Sequence, residues 1–172
     1  MIRVVVTGSE STGKTALARQ LAEHFGAEFV PEFVREFAEE KQAPIGFADH
    51  GPIARGQMAL EDRHAALAAE GSGLVIQDTD LLSTVVYCDH YFGGCPVWIS
   101  ELARERKPDL YLLLGIDVPW IADGIRDRGD RRSEMHDLFL AAVVASGSRY
   151  LEVEGSWDRR WIQARGAVQA LL

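Results

Sequence analysis

Cysteine is scarce in this chain: Cys88 and Cys95 are the two in 172 residues, too few for a disulfide framework. Asp89 and His90 adjoin Cys88, yet no close cysteine pair or second histidine in register completes a set of four ligands, which disfavours a zinc site. Free thiols in a reducing cytoplasm are expected instead. No apolar run approaches the roughly 18 residues of a membrane span. The amino terminus runs straight into a strand-like segment without a basic leader and cleavable apolar stretch, which points to a cytoplasmic protein. Positive charge is also in deficit, with 18 Lys and Arg against 26 Asp and Glu and a net charge of -8. That balance excludes a broad nucleic-acid or membrane-surface footprint. Repeats, low-complexity tracts and linkers are missing too, so a single domain over residues 1–172 is expected.

What is present is a regular alternation. Ile2 to Val6 is a β-branched run ending at Thr7-Gly8, the profile of a buried strand. A helix should follow from Lys14, with Leu17, Leu21 and Phe25 four apart and Gly26 as its stop. Glu28 to Val30, Leu74 to Ile76, Leu110 to Leu114 and Tyr150 to Val153 read as further strands. Helices are expected over Glu32 to Lys41, Leu81 to Tyr91, Val97 to Glu105 and Asp158 to Leu172. Another opens near Pro52, its buried face marked by Ile53, Leu60 and Leu67. Continuously apolar strands separated by helices predict an α/β fold with a parallel sheet covered on both faces.

The first strand leads into Gly8-Ser9-Glu10-Ser11-Thr12-Gly13-Lys14-Thr15, which matches the phosphate-binding loop G-x-x-x-x-G-K-[ST] at every fixed position. Such a match arises by chance in roughly one chain in two hundred of this length, and here it also lies between a strand and a helix. Gly8 and Gly13 let the backbone curl so that successive N–H groups face phosphate oxygens. The helix amino terminus adds partial positive charge. Lys14 should reach the β- and γ-phosphates of ATP, and the Thr15 hydroxyl should ligate magnesium.

A phosphate loop does not name a reaction. No Asn-Lys-x-Asp segment for guanine is present, and the third strand ends Gln77-Asp78-Thr79-Asp80 without the paired acids of motor ATPases. Asp78 fits the magnesium partner beside the loop, while Asp80 fits a helix cap for the segment from Leu81. A kinase also needs a base for the acceptor hydroxyl, and in a parallel sheet the ligand lies beyond the carboxyl ends of the strands. Glu32, Asp78 and Asp80 are the candidates there. Arg35 and Glu36 share the helix of Glu32. A second basic cluster, Arg126, Arg128, Arg131 and Arg132, puts four arginines in seven positions of an acidic chain. An Arg-bearing lid over about residues 120–135, hinged at Gly124 and Gly129, is expected to neutralise charge on the transferring phosphoryl group.

With these motifs in view, the chain resembles the ribosylnicotinamide kinase domain of the bacterial NAD-biosynthesis regulator NadR. The resemblance rests on the phosphate loop, on Pro31-Glu32-Phe33-Val34-Arg35-Glu36-Phe37, on Asp78-Thr79-Asp80 and on Pro119-Trp120-Ile121-Ala122-Asp123-Gly124-Ile125-Arg126. It implies a P-loop NTPase fold of the nucleoside and nucleotide kinase type, with a five-stranded parallel sheet. It also implies transfer of the ATP γ-phosphate to the ribose 5′-hydroxyl of nicotinamide riboside, giving nicotinamide mononucleotide. By motif, Glu32 and Arg35 would line the nucleoside side, Asp78 the metal and Arg126 the lid. Carboxylates and aromatic faces suit a cationic pyridinium ring, and Glu32, Asp80, Tyr87 and Trp98 are available for it. The chain begins at the kinase strand, so the DNA-binding and adenylyltransferase parts of the complete regulator are expected to be absent, and repressor activity is not carried over. A kinase for another small nucleoside or metabolite, and a non-kinase regulatory ATPase, are the alternative readings. Adenine is expected near Gly155 to Arg159.

Overall fold

In a computed structural model of the chain, residues 1–119 and 131–172 are described; 120–130 are left aside. The order of elements is β1 (Ile2–Thr7), α1 (Lys14–Phe25), β2 (Glu28–Val30), α2 (Phe33–Lys41), a 3₁₀ turn at Phe47–Asp49, and α3 (His50–Glu70). Then come β3 (Leu74–Asp78), α4 (Leu81–Phe92), α5 (Val97–Glu105), β4 (Leu110–Leu114), α6 (Arg132–Ser146), β5 (Arg149–Val153) and α7 (Trp157–Gln169). The strands form one sheet in the order β2-β3-β1-β4-β5, with every neighbouring pair parallel.

The two faces of the sheet divide the strand residues by parity, as a period of two requires. Val4 and Val6, Leu74 and Ile76, and Leu110, Leu112 and Leu114 pack under α1 and α7, against Leu17, Leu21, Ala164 and Val168. Val5 and Tyr111 face Val143 of α6 and Leu82 of α4. Leu113 packs with Val86 and Tyr87 of α4 and with Met135 and Phe139 of α6. On the β2 side, Val30 and Val75 meet Ala68 of α3. The two-sided burial explains why the central strands read as continuous apolar runs.

One helix presents a different face from the one its sequence suggested. Leu67 of α3 is 46% exposed and Leu60 only part-buried. The buried side instead carries Ile53, Ala54, Gln57, Glu61 and Ala68. Gln57 and Glu61 can turn inward because each has a partner there. The Phe33 amide donates to Gln57 Oε1 at 2.9 Å, and Arg106 donates to Glu61 Oε2 from Nε and Nη2 at 3.1 and 3.0 Å. Paired polar groups are admissible in a core, and apolar periodicity alone cannot detect them.

The register aligns Val6 of β1 with Asp78 of β3, and Thr7 with Leu113 of β4. Val30 of β2 lies opposite Gln77. The carboxyl ends of these four strands therefore gather at one rim, directly below the Gly8–Thr15 loop. Among the described residues no helix is long and apolar enough to cross a membrane.

Candidate active site

The loop leaves β1 at Gly8, whose φ is +131°. A Cβ there would lie 2.9 Å from the Leu114 carbonyl oxygen, so the turn admits no side chain. Gly13, at φ +89°, precedes α1 as its N-cap. Ser11, between them, holds φ +55°, a left-handed conformation that is costly for a residue with a Cβ. The Gly13 carbonyl accepts from the Leu17 amide at 3.1 Å, which starts the helix. Lys14 is folded back across the loop, its Nζ donating to the Ser9 carbonyl at 2.7 Å. The Thr12 hydroxyl donates to that same carbonyl at 3.0 Å.

The Thr15 hydroxyl donates to Asp78 Oδ2 at 2.5 Å. Burial pushes the Asp78 carboxyl up from its ordinary range, and the Glu32 charge adds to this, while the Thr15 hydrogen bond, Lys14 and Arg35 oppose it. Chain from the ends of three strands, β1, β2 and β3, therefore converges on one spot. Glu32, only 7% exposed, stands at the N-cap of α2 and pairs with Arg35 Nε at 3.1 Å. The chain reverses past β3 at Thr79, a β-branched residue held at φ +65°. Strain at Ser11 and at Thr79 thus brackets the site.

The donor set suits a phosphate group and a hard cation. A lysine, a hydroxyl and a buried carboxylate meet at a helix amino terminus, the groups through which a P-loop holds nucleotide and magnesium. Asp78 Oδ1 and Ser9 Oγ are buried without a hydrogen-bond partner among the described residues, and buried polar atoms of this kind call for one.

Several other expected site residues are engaged by partners of their own. Asp80 is the helix cap: Oδ1 accepts from the Leu82 amide at 3.0 Å and Oδ2 from the Tyr111 hydroxyl at 2.6 Å. Both of its oxygens are thus engaged, and the residue is buried. Tyr87 is a core residue of α4. Its hydroxyl donates to Glu10 Oε2 at 3.1 Å, and its ring meets Phe139 edge-on. Glu10 correspondingly turns its side chain inward and is buried. Trp98 is half-buried on α5, covered by the Arg55 guanidinium at 4.9 Å from its ring centroid. Arg131 is turned along α6 to Glu134 Oε2 at 2.7 Å. Arg126 and Arg128 lie outside the described residues, as does most of the expected lid.

Three residues around the loop carry more than their sequence suggested. The Trp157 ring covers Gly13, with Cζ3 3.0 Å from where a Cβ would stand, and the residue is 41% exposed. Arg132 donates to the Ser11 carbonyl at 3.3 Å and to the Val118 carbonyl at 2.7 Å. Arg160 is fully buried and reaches the Thr12 and Gly115 carbonyls, each at 3.1 Å. The sequence does hold a signal for Arg160: it shares the spacing of four with Ala164 and Val168 on a buried helix face.

Comparison with known proteins settles the family. Residues 3–160 match the AAA domain family AAA_28. The chain belongs to that family. The chain is 26% identical to the trifunctional NAD biosynthesis/regulator protein NadR of Escherichia coli (strain K12), over 98% of this chain and 42% of that protein. The NadR of Salmonella typhimurium is equally similar over the same shares. A crystal structure of NadR protein in complex with NR superposes with a TM-score of 0.81 and 27% identity, covering 98% of this chain and 51% of that one. The chain therefore spans about half the length, or less, of these relatives. Thymidylate kinase from Candida albicans shares the fold, with a TM-score of 0.73 at 16% identity over 99% of this chain and 92% of that one. The architecture is thus a P-loop kinase fold of the nucleoside and nucleotide kinase type, as the resemblance implied.

Proposed function

We propose that this AAA-family chain is an ATP-dependent phosphotransferase that phosphorylates the 5′-hydroxyl of nicotinamide riboside, giving nicotinamide mononucleotide. The observation that carries the reading is the position of Glu32. A buried carboxylate at the mouth of α2, paired with Arg35 and close enough to Asp78 to raise its pKa, gives the loop an acceptor side. A simple nucleotide-binding module needs no such group. The likeness to a NadR protein solved with NR supports the choice of acceptor.

Magnesium would supply charge neutralisation between the β- and γ-phosphates. The groups to hold it are the Thr15 hydroxyl and Asp78. Lys14 exchanges the Ser9 carbonyl for phosphate oxygens, and the loop amides with the α1 amino terminus hold the remaining charge. Glu32 accepts or orients the proton of the attacking hydroxyl, and Arg35 keeps that carboxylate in place. Arg126 and Arg128, in the segment outside the described residues, are proposed to neutralise the transferring group. Adenine lies along Gly155 to Arg159, against the exposed Trp157 ring.

The test is a phosphate-transfer screen with labelled ATP and magnesium, setting nicotinamide riboside against common ribo- and deoxynucleosides. The reading expects the highest kcat/KM for nicotinamide riboside. A preference for another nucleoside would move the acceptor while keeping the kinase. Hydrolysis that no acceptor accelerates would leave a regulatory ATPase instead.

A further inference from the structure

The phosphate-loop reading leaves one question of geometry open: what turns the loop's amides toward the ligand. A trans peptide is planar and its C=O and N–H point in opposite directions, so a group that fixes a carbonyl also aims the N–H of the next residue. The loop's carbonyls at Ser11 and Thr12 are both fixed, and in each case by an arginine from a distant element. Arg132 of α6 donates through Nη2 to the Ser11 carbonyl at 3.3 Å. Arg160 of α7 donates through Nη1 to the Thr12 carbonyl at 3.1 Å. The amides aimed away from these guanidinium groups are those of Thr12 and Gly13, on the loop's opposite side.

Arg160 is the more committed of the two. Its side chain has no solvent exposure, and a buried charge is tolerated only when thoroughly satisfied. Nε donates to the Gly155 carbonyl at 3.0 Å, Nη2 to the Gly115 carbonyl at 3.1 Å, and Nη2 also pairs with Asp117 Oδ1. Asp117 in turn accepts from the Gly155 amide at 2.6 Å through Oδ2. One guanidinium therefore ties the phosphate loop to the chain leaving β4 and to the turn between β5 and α7. Lysine could not do this, because its ammonium lacks the planar fork that addresses carbonyls in several fixed directions.

We propose that Arg160 is a positioning residue for phosphate binding, aiming the Gly13 amide through the Thr12 carbonyl, with Arg132 doing the same for the Thr12 amide. The inference rests on the reading of the loop as a phosphate site. It touches no substrate atom, so its signature is in affinity for phosphate chains rather than in proton transfer.

Titration calorimetry at 15 °C with MgATP and with inorganic tripolyphosphate tests it on wild type, Arg160→Lys and Asp117→Asn, each first shown folded by its melting curve. Arg160→Lys should weaken both ligands by about tenfold or more, the scale of losing oriented donors, while KM for the acceptor stays near wild type. The Gly13 amide resonance, which should move on adding tripolyphosphate to wild type, should move less in the variant. A purely structural arginine would lower the melting temperature and leave affinity per folded molecule unchanged, and that result overturns the proposal. If Arg160→Lys does not fold, Asp117→Asn decides: it loosens one of the guanidinium's partners and should weaken tripolyphosphate about two- to fivefold. Wild-type affinity in that variant also overturns the proposal. Wild-type protein that binds neither ligand defeats the phosphate-loop reading itself, whereas binding by wild type with matching variants defeats this inference alone.

Discussion

Glu32 and Asp80 carry the same functional group just past neighbouring strands, and their partners separate their roles. Asp80 has spent both oxygens on a helix amide and a tyrosine hydroxyl, while burial pushes its carboxyl up. Glu32 is held by a guanidinium on the same helix, and its charge bears on Asp78, the β3 carboxylate bonded to Thr15 of the loop. Glu32→Gln should therefore lower kcat by about 10²- to 10⁴-fold, the range for a general base, with the melting temperature little changed. Asp80→Asn should do the opposite: a kcat within a few-fold of wild type, with the helix cap kept, since an asparagine side-chain oxygen accepts there as well as a carboxylate does. Steady-state kinetics at saturating ATP and a denaturation curve on both variants check this, and a kcat collapse in Asp80→Asn with normal stability would reverse the assignment. Legibility follows the same division. The meeting of Thr15 and Asp78 was legible because the loop motif fixes Thr15 at the start of α1 and the parallel neighbour of β1 ends in Asp78. Asp80 could be read as the cap of α4, but its second bond, to Tyr111, and that of Tyr87 to Glu10 could not, since each depends on a partner far away in the chain.

At the scale of elements, the acceptor side depends on how α2 sits on α3. The Phe33 ring lies flat on α3 at Gly56, where an added Cβ would stand 2.0 Å from Cε1 and 2.3 Å from Cζ. The Phe33 amide is anchored one residue further on, at Gln57 Oε1. Two effects oppose each other in Gly56→Ala. Helix propensity favours alanine by about 0.8–1 kcal/mol, whereas displacing a packed ring costs about 1–3 kcal/mol. The clash should win. We expect a lower melting temperature and, because Phe33 adjoins Glu32, a raised KM for the acceptor with ATP affinity unchanged. A melting temperature above wild type would mean that propensity decides. This contact also shows why the strands were readable and α3's face was not. Strands β1, β3 and β4 are buried on both sides, so hydrophobicity alone marks them. Helix α3 turns a glycine, a glutamine and a glutamate toward its neighbours, and each is recognisable only once Phe33 and Arg106 are in place.

Across the whole molecule, buried acids make stability and ligand binding respond to pH in opposite directions. The carboxyls of Glu61, Asp78 and Asp80 are all raised above their ordinary range, with burial the largest cause in each. A carboxyl raised in the folded state favours folding while protonated; that contribution is present below its unfolded pKa and is lost as pH rises through the folded value. Ligand-free protein should accordingly melt higher at pH 5.5 than at pH 7.5. Magnesium nucleotide makes the reverse demand, because Asp78 must be ionised to face a cation. At a hundred times Kd, MgATP should add about 2.7 kcal/mol at neutral pH, or roughly 5–10 °C for a domain of this size. That increment should shrink as pH falls, although the ligand-free baseline rises. Thermal melts with and without MgATP at the two pH values measure both slopes at once, and Asp78→Asn separates their causes. The variant should start from a higher ligand-free melting temperature at pH 7.5, since it removes a buried charge, and should lose most of the pH dependence of the MgATP increment. An increment that grows on acidification, or that keeps its pH dependence in Asp78→Asn, would show that Asp78 does not face the cation.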